Sequence, residues 1–299
     1  MRLYNLWRSK RFARLVPSGK SVELVTPPFL LRAAKYWLSE WEYLPNGWDL
    51  SKTGGTAGWN DSGIADAQKE HWPHLLRNLD GPGPLGVSHF PWRKTRENWT
   101  DHNAMMTFGY VLGLVSRGRD GLSILDWGGG VGHHGCYSRV LMPGVPFTYH
   151  CYDLPQLNAL GRSFVPDAVF HQTESEALSR QYDLILCSSS LHYFEDWRGV
   201  LRRLAENTEY LYIARLQSVH SAASFVVVQR PYRVGYRTQF LSWFLNREEL
   251  IQHAESVGLQ LIREFLYSEA WCVRGAPEQG HCRGYLFRRV NHPEQEDQA

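Results

Sequence analysis

The residues most able to do chemistry lie in one short segment, residues 126–132, which reads Asp-Trp-Gly-Gly-Gly-Val-Gly. The apolar run before it predicts a strand, and the residues after it predict a helix. Glycines at alternate positions allow a tight turn that a ligand can approach without a Cβ in the way. Asp153 follows the next predicted strand, where a carboxylate can accept both hydroxyls of a ribose. Strand, glycines, helix and acid in this order predict a site for a nucleoside-containing ligand.

Two cofactors fit this segment. Residues 130–135 also match the GxGxxG fingerprint, so NAD and S-adenosylmethionine are both candidates. About 120 residues precede the glycines, whereas a dinucleotide-binding domain begins with its glycine strand, and this favours S-adenosylmethionine. Asp126, two residues before Gly128, also favours S-adenosylmethionine as the ligand. A nicotinamide-dependent oxidoreductase stays as the alternative.

Three segments resemble motifs of the class I S-adenosylmethionine-dependent methyltransferases. Residues 126–132 resemble the first motif, residues 152–155 the ribose-binding acid, and residues 182–193 the fourth-strand motif. The resemblance covers about residues 101–290. It implies a Rossmann-like α/β fold of seven strands, S-adenosylmethionine as cofactor, and methyl transfer to an oxygen or nitrogen, less often a carbon, of a small molecule.

Within this class, residues 83–89 and 228–232 resemble segments of a largely uncharacterised bacterial family of methyltransferase-like proteins. Some members of that family occur beside surface-polysaccharide or natural-product genes. The resemblance therefore suggests an acceptor from natural-product or saccharide biosynthesis. A second alternative is a non-catalytic member that serves as a partner module.

The same resemblance implies cofactor contacts residue by residue. The first-motif residues would cradle the methionine part, Asp153 would hold the ribose, and Leu154 would lie against the adenine. The other residues follow later strands or lie on the helix before the first strand. The implied set is Asp126, Gly128, Gly130, Gly132, Asp153, Leu154, Gln172, Thr173, Ser188, Ser189, His102 and Asn103. The family often has an aspartate where Gln172 stands, so an amide would replace that carboxylate.

Candidates for catalysis and for substrate binding come from the same loops. Alignment can supply most of the rate of methyl transfer, and a general base helps when the acceptor is a hydroxyl. Histidine is the residue best suited to that role near neutral pH, so His192 is the first candidate and His134 the second; His192 could equally be a structural core histidine. The substrate candidates are Tyr193, Arg215, Arg230, Tyr232 and Trp59. No metal site is expected.

The elements that must hold these residues follow a β/α alternation, which is typical of parallel strands with helices on both faces. Strands are predicted at 123–126, 147–152, 168–171, 182–187, 209–215, 260–267 and 284–290, and helices at 102–116, 156–164, 196–206 and 247–257. Residues 1–100 are predicted to form a Trp-rich helical cap, with helices at 30–43 and 64–79. Residues 216–244 form an insertion, and residues 291–299 a frayed tail.

Composition narrows the class of protein. The 299 residues carry 32 Lys+Arg against 30 Asp+Glu, a net charge of +2. This balance does not predict the basic surface that binds nucleic acid. With 43% apolar and 21% charged residues, the chain is neither disordered nor collagen-like. The five cysteines include no CxxC pair, which favours reduced thiols in the cytoplasm. No apolar run is long enough to span a membrane. The expected partner is a small-molecule substrate, and a homodimer is one possible assembly.

Overall fold

The structure is a computed structural model, and it describes residues 36–86, 98–231 and 236–290. The chain divides into two units, Met1–Ser39 and Glu40–Ala299. Of the first unit, only residues 36–39 are described; there the rings of Tyr36 and Trp37 meet edge to face at 5.8 Å. The basic segment 1–20 and the tail 291–299 lie outside the described residues. All that follows concerns the second unit.

Helices and strands alternate along most of the second unit. The strands are β1 (Trp41–Leu44), β2 (Leu122–Trp127), β3 (Phe147–Tyr152), β4 (Val169–His171), β5 (Tyr182–Ser188), β6 (Thr208–Val219), β7 (Phe225–Gln229), β8 (Phe240–Asn246), β9 (Leu259–Ala270), β10 (Val273–Arg274) and β11 (His281–Arg289). The helices are α1 (Ser62–Leu79), α2 (Trp99–Val115), α3 (His133–Leu141), α4 (Pro155–Phe164), α5 (Glu174–Ala177), α6 (Trp197–Glu206) and α7 (Arg247–Ser256). Short 3-10 helices lie at Leu50–Thr53, Gly58–Asn60 and Leu191–Tyr193.

The main sheet has the order β4-β3-β2-β5-β6-β11-β9. Its first five strands are parallel, and β11 runs antiparallel between β6 and β9. This is the Rossmann-like sheet of seven strands that the sequence predicted. Because the parallel strands end at one edge, the loops after β2, β3, β4, β5 and β6 meet there, and those after β2 to β5 carry most of the predicted cofactor residues.

The central strands are apolar because helices cover both faces of the sheet. Neighbouring residues of a strand point to opposite faces, so Ile124 and Leu125, both fully buried, belong to two different clusters. Ile124 packs with residues of α1 to α4, and Leu125 packs with residues of α6 and α7. The burial fixes the register of β2, and with it the position of the glycine turn at its end.

A second group of strands, in the order β10-β1-β7-β8, joins the main sheet where β8 pairs with the last residues of β6. The sequence predicted a helix over residues 30–43; Tyr36 and Trp37 are helical, but the prediction is wrong from Trp41 onward, because Trp41–Leu44 forms β1. Trp41 pairs with Gln229 and with Val273, and its ring packs against Phe244. These long-range contacts outweigh the local helical pattern. The predicted insertion at 216–244 likewise supplies the end of β6, β7 and most of β8.

Helix α1 is the longest described helix of residues 1–98 within the predicted cap, and its bounds are close to the helix predicted at 64–79. Asp61 begins it, since its side chain accepts a hydrogen bond from the backbone N–H of Gly63. Trp72 stacks on Phe164 of α4 with ring centroids 4.5 Å apart. One face of α1 therefore packs on the helix that follows β3.

Phe244 is the side chain that joins the second group of strands. It is fully buried and packs against the rings of Trp41, Phe225 and Trp271. We predict that Phe244→Ala lowers the free energy of unfolding by about 3–5 kcal/mol, because it leaves a cavity among these rings. Urea unfolding followed by circular dichroism measures the change. Leu50→Ala, at a side chain 69% exposed, is the control and should change it by less than about 0.5 kcal/mol. A loss below about 1 kcal/mol for Phe244→Ala would contradict this packing.

Candidate functional site

The turn between β2 and α3 has a backbone that needs glycine. Gly128, Gly130 and Gly132 have φ of +73°, +61° and +83°, in the left-handed region. A Cβ on Gly128 would lie 2.5 Å from the Cβ of Ser190, and one on Gly132 would lie 2.9 Å from the ring of Phe170. A Cβ on Gly130 would meet nothing closer than 3.9 Å. Two of the glycines therefore allow close packing, and the third keeps an open backbone face.

Asp153, at the end of β3, is tied to this turn. One carboxylate oxygen accepts the N–H of Gly130 at 2.7 Å, and the other accepts the N–H of Leu154 at 2.6 Å. Burial raises the pKa of Asp153 to about 6, although both hydrogen bonds oppose the rise. Each carboxylate oxygen keeps a further lone pair for a hydroxyl donor. The side chain is thus fixed in place and can still hold a ribose.

Asp126, at the end of β2, forms a dyad with His134. Its carboxylate is fully buried, and one oxygen accepts from the Tyr149 hydroxyl at 2.5 Å and from His134 Nδ1 at 2.9 Å. Because a carboxylate only accepts, Nδ1 carries the proton and Nε2 is the acceptor nitrogen of the imidazole. The other oxygen of Asp126 is buried with no partner among the described residues. The dyad therefore holds His134 in one tautomer.

The imidazole of His134 lines a cavity beside the glycine turn. The cavity lies between α2, the start of α3, and the ends of β5 and β6, and β9 closes it. Its polar lining includes Asp101, His133, His134, Tyr137, Ser188 and Arg215. Ser188, one of the predicted cofactor residues, and the imidazole of His134 thus line the same cavity.

Arg215 is held by two carboxylates at this cavity. Its guanidinium donates to Asp101 at 3.0 Å and to both oxygens of Glu269 at 3.0 and 2.9 Å. Burial lowers the pKa of Arg215, but Glu269 and Asp101 raise it more, so it lies above its ordinary value. A guanidinium shared by two acids is a poor site for a substrate anion. Through these hydrogen bonds Arg215, on β6, links α2 to β9.

Two residues with a strained backbone lie at or next to this cavity. Among the described residues other than glycine, Ser189 and Arg215 have positive φ, at 54° and 53°. They follow the paired residues Ser188 and Ala214 on β5 and β6, and the N–H of Ser189 donates to the carbonyl of Ala214. Such strain is concentrated at functional sites because the surrounding structure must enforce it.

His192, the first candidate for the base, lies in the 3-10 helix after β5. It is 1% exposed, and neither ring nitrogen has a partner among the described residues. Burial lowers its pKa to about 3, so the imidazole is neutral at physiological pH and a weak proton acceptor. Its position does not favour the base role.

The predicted substrate residues do not form one group. Trp59 and Tyr193 do meet, with ring centroids 5.0 Å apart. Arg230 lies elsewhere: it pairs with Glu42 of β1 at 2.6 Å and donates to Gln239 at 3.1 Å. Tyr232 lies outside the described residues. Of this set, the structure brings Trp59 and Tyr193 together beside His192.

The remaining predicted cofactor residues also have structural contacts. Thr173 caps α5 by accepting from the N–H of Glu176 at 3.1 Å, and the N–H of Gln172 donates to the side chain of Glu176. Asn103 donates to the carbonyl of Leu266 at 2.7 Å, and His102 Nδ1 is buried without a partner among the described residues. These contacts position the loop after β4 and tie α2 to β9.

Sequence reasoning missed the partners that hold the site. Asp101 and Glu269 pair with Arg215, Tyr149 binds Asp126, and Gln156 donates to the carbonyl of Trp59. Tyr149 offered a local signal, because it lies on the strand predicted directly after the strand that ends in Asp126. The others join segments more than 50 residues apart, for which the sequence offers no local signal.

Two negative findings apply to the residues that the structure describes. They contain no group of three or more His, Cys, Asp or Glu side chains that could hold a metal ion. They also contain no helix long and apolar enough to cross a membrane.

Comparison with known proteins agrees with the fold. The family described as "Methyltransferase domain" matches residues 105–264, more than half of the chain. The antiparallel β11 between β6 and β9 gives the class I methyltransferase order rather than the order of a dinucleotide-binding sheet. The chain belongs to this methyltransferase family, whose class I members take S-adenosylmethionine as methyl donor.

Solved structures of methyltransferases are similar to the chain at low identity. Magnesium protoporphyrin IX methyltransferase from Synechocystis PCC 6803, with bound S-adenosylhomocysteine, is 14% identical; the match covers 77% of this chain and 99% of that one, with a TM-score of 0.47. The 1,6-didemethyltoxoflavin-N1-methyltransferase of Burkholderia thailandensis is 16% identical, with 77% and 90% covered and a TM-score of 0.45. No assignment depends on these likenesses. No curated protein matches the chain.

The close packing of Gly128 predicts that an alanine there destabilises the protein more than an alanine at Gly144. Gly144 also has a positive φ, +91°, but a Cβ there would meet no atom within 4 Å. We predict that Gly144→Ala costs about 1–2 kcal/mol of stability from backbone strain alone. Gly128→Ala should cost about 1–3 kcal/mol more, because its Cβ would overlap Ser190. Urea unfolding of both variants measures the difference, and equal losses would show that Ser190 does not constrain the turn.

Proposed function

We propose that this chain transfers a methyl group from S-adenosylmethionine to an oxygen or nitrogen of a small molecule. The observation that carries the proposal is the bond between Asp153 and the N–H of Gly130, which joins the ribose-binding acid to the open glycine. It lies at the carboxyl edge of a sheet with class I order, in a chain of a methyltransferase family.

The residues present fit S-adenosylmethionine better than a dinucleotide. The open backbone face of Gly130 would take the methionine part, Asp153 the ribose hydroxyls, and Leu154 the adenine face. The carboxylates of Asp126 and Asp153 both lie against the turn, where a pyrophosphate would be repelled. The sulfonium of S-adenosylmethionine carries a positive charge, which two carboxylates favour. This charge pattern supports the methyl donor over NAD.

The His134–Asp126 dyad supports a general base for hydroxyl acceptors. When bound, S-adenosylmethionine supplies an electrophilic methyl group. The methyl–sulfur bond would break as the acceptor oxygen takes the methyl group, and S-adenosylhomocysteine would leave. His134 Nε2 would take the proton of the acceptor hydroxyl, and Asp126 would hold the ring and stabilise its positive charge. An amine acceptor with a free lone pair needs this help less. We assign the base role to His134 rather than His192.

The first prediction under this proposal concerns ligand affinity. Ribose hydroxyls donate best to an ionised carboxylate, so S-adenosylhomocysteine should bind more tightly as the pH rises through about 6, where Asp153 loses its proton. Asp153→Asn should bind it about 10- to 100-fold more weakly at pH 7.5, and its affinity should not vary over that range. Isothermal titration calorimetry measures both. Binding of NADH in place of S-adenosylhomocysteine would overturn the proposal in favour of an oxidoreductase, and binding of neither would favour a partner module.

The second prediction concerns the base. For a hydroxyl acceptor found by screening, His134→Gln should lower kcat by about 10²- to 10⁴-fold, because the proton acceptor is lost. The Kd of S-adenosylhomocysteine should stay within about threefold of wild type. His281→Gln, at an exposed histidine of β11, is the matched control and should change neither quantity. An unchanged kcat in His134→Gln would remove His134 from the reaction.

The resemblance of residues 83–89 and 228–232 to the bacterial family supports an acceptor from natural-product or saccharide biosynthesis.

A further inference from the structure

Three buried polar atoms near the glycine turn have no partner among the described residues. They are both ring nitrogens of His192 and Nε1 of Trp59. Both side chains flank the ring of Tyr193, with ring centroids 4.3 Å away for His192 and 5.0 Å away for Trp59. A buried polar atom without a hydrogen bond destabilises the folded state, so such atoms are rarely left without an occupant to bind them. Three around one ring indicate a binding site.

The side chains of this site are neutral and aromatic. His192 is uncharged, because burial lowers its pKa to about 3. Phe240 packs on Trp59 at 4.4 Å and on Tyr193 at 5.8 Å, and the Tyr193 hydroxyl donates to Gln229. A neutral imidazole offers one donor and one acceptor, and the indole offers one donor. A charged ligand group would lose its water here without gaining a counter-charge.

The site lies beside the glycine turn, since a Cβ on Gly128 would lie 2.5 Å from the Cβ of Ser190. Ser190, just before the 3-10 helix of His192, donates to the carbonyl of Trp127 at 3.0 Å. Gln156, in the first turn of α4, donates to the carbonyl of Trp59 at 3.3 Å. Phe240 and Gln229 belong to β8 and β7, on the β6 side of the sheet, whereas Gln172, one of the predicted cofactor residues, follows β4 on the opposite side.

We propose that His192, Trp59 and Tyr193, with Phe240, form the binding site for the methyl acceptor, and that this acceptor is a planar, uncharged ring with a hydrogen-bond donor and acceptor on one edge. Phenols, lactams and hydroxylated heteroaromatic rings have this chemistry. Carboxylated or phosphorylated acceptors do not, and Arg215 and Arg230 are already paired with acids. The inference rests on the proposed function, and it names the substrate class of that site.

A stability comparison tests whether His192 lacks partners. His150 is also a buried histidine, but its Nδ1 bonds to His171 Nε2 at 2.9 Å. Without ligand, His192→Phe should melt at the wild-type temperature or above it, because the variant removes two unsatisfied atoms and keeps a planar ring. His150→Phe should melt at least about 2 °C lower. An equal fall in both variants would show that His192 is satisfied in the free protein, and would overturn the proposal.

A binding experiment tests the site directly. The probes are 2-quinolone and 2-naphthol, titrated by calorimetry into protein saturated with S-adenosylhomocysteine, with quinoline-2-carboxylate as the charged counterpart. At least one neutral probe should bind wild type, at least tenfold more tightly than the carboxylate. His192→Phe and Trp59→Phe should weaken it at least tenfold. Trp48→Phe, at a tryptophan stacked on Trp243, should not.

Each of the other possible titration results contradicts one part of the proposal. If neither neutral probe binds, or if the carboxylate binds as well, the acceptor assignment is wrong. If His192→Phe and Trp59→Phe weaken S-adenosylhomocysteine itself, these residues contact the adenine instead. If S-adenosylhomocysteine does not bind wild type, the proposed function fails, and the probe titrations without it still report on the neutral site.

Discussion

The hydrogen bond from the N–H of Gly130 to Asp153 is the contact on which the site depends. It joins the loops after β2 and β3, which belong to neighbouring parallel strands, and it fixes the acid over the open glycine. A second bond, from the N–H of Gly128 to the carbonyl of Tyr152, holds the two strand ends together. The backbone of the turn has left-handed φ at Gly128, Gly130 and Gly132, so these positions require glycine.

Charge is distributed unevenly around this turn. Asp126 and Asp153 lie beside the proposed cofactor, and the one arginine that lines the cavity is shared by Asp101 and Glu269. The acceptor side, at His192 and Trp59, is neutral. A cationic methyl donor and an uncharged acceptor match these two environments. A substrate that depends on a phosphate or a carboxylate matches neither.

The sequence predicted the parts of the fold that local pattern determines. The strands β2 to β5 begin and end within one residue of their predicted bounds. In β2 and β5 the apolar runs are buried on both faces of the sheet. The turn and Asp153 were predicted because their roles need particular residue types at fixed spacing. β1 was missed because Trp41 is held by partners about 190 and 230 residues away. The ion pairs of Arg215 with two acids and of Arg230 with Glu42 were missed for the same reason, because tertiary contacts decide them.

The most direct test of this account is a crystal structure of the protein with S-adenosylhomocysteine. The account predicts the ribose hydroxyls on Asp153, the amino-acid end against the open face of Gly130, and the sulfur facing the cavity lined by His134. A ligand bound elsewhere, or a ribose that makes no contact with Asp153, would contradict it.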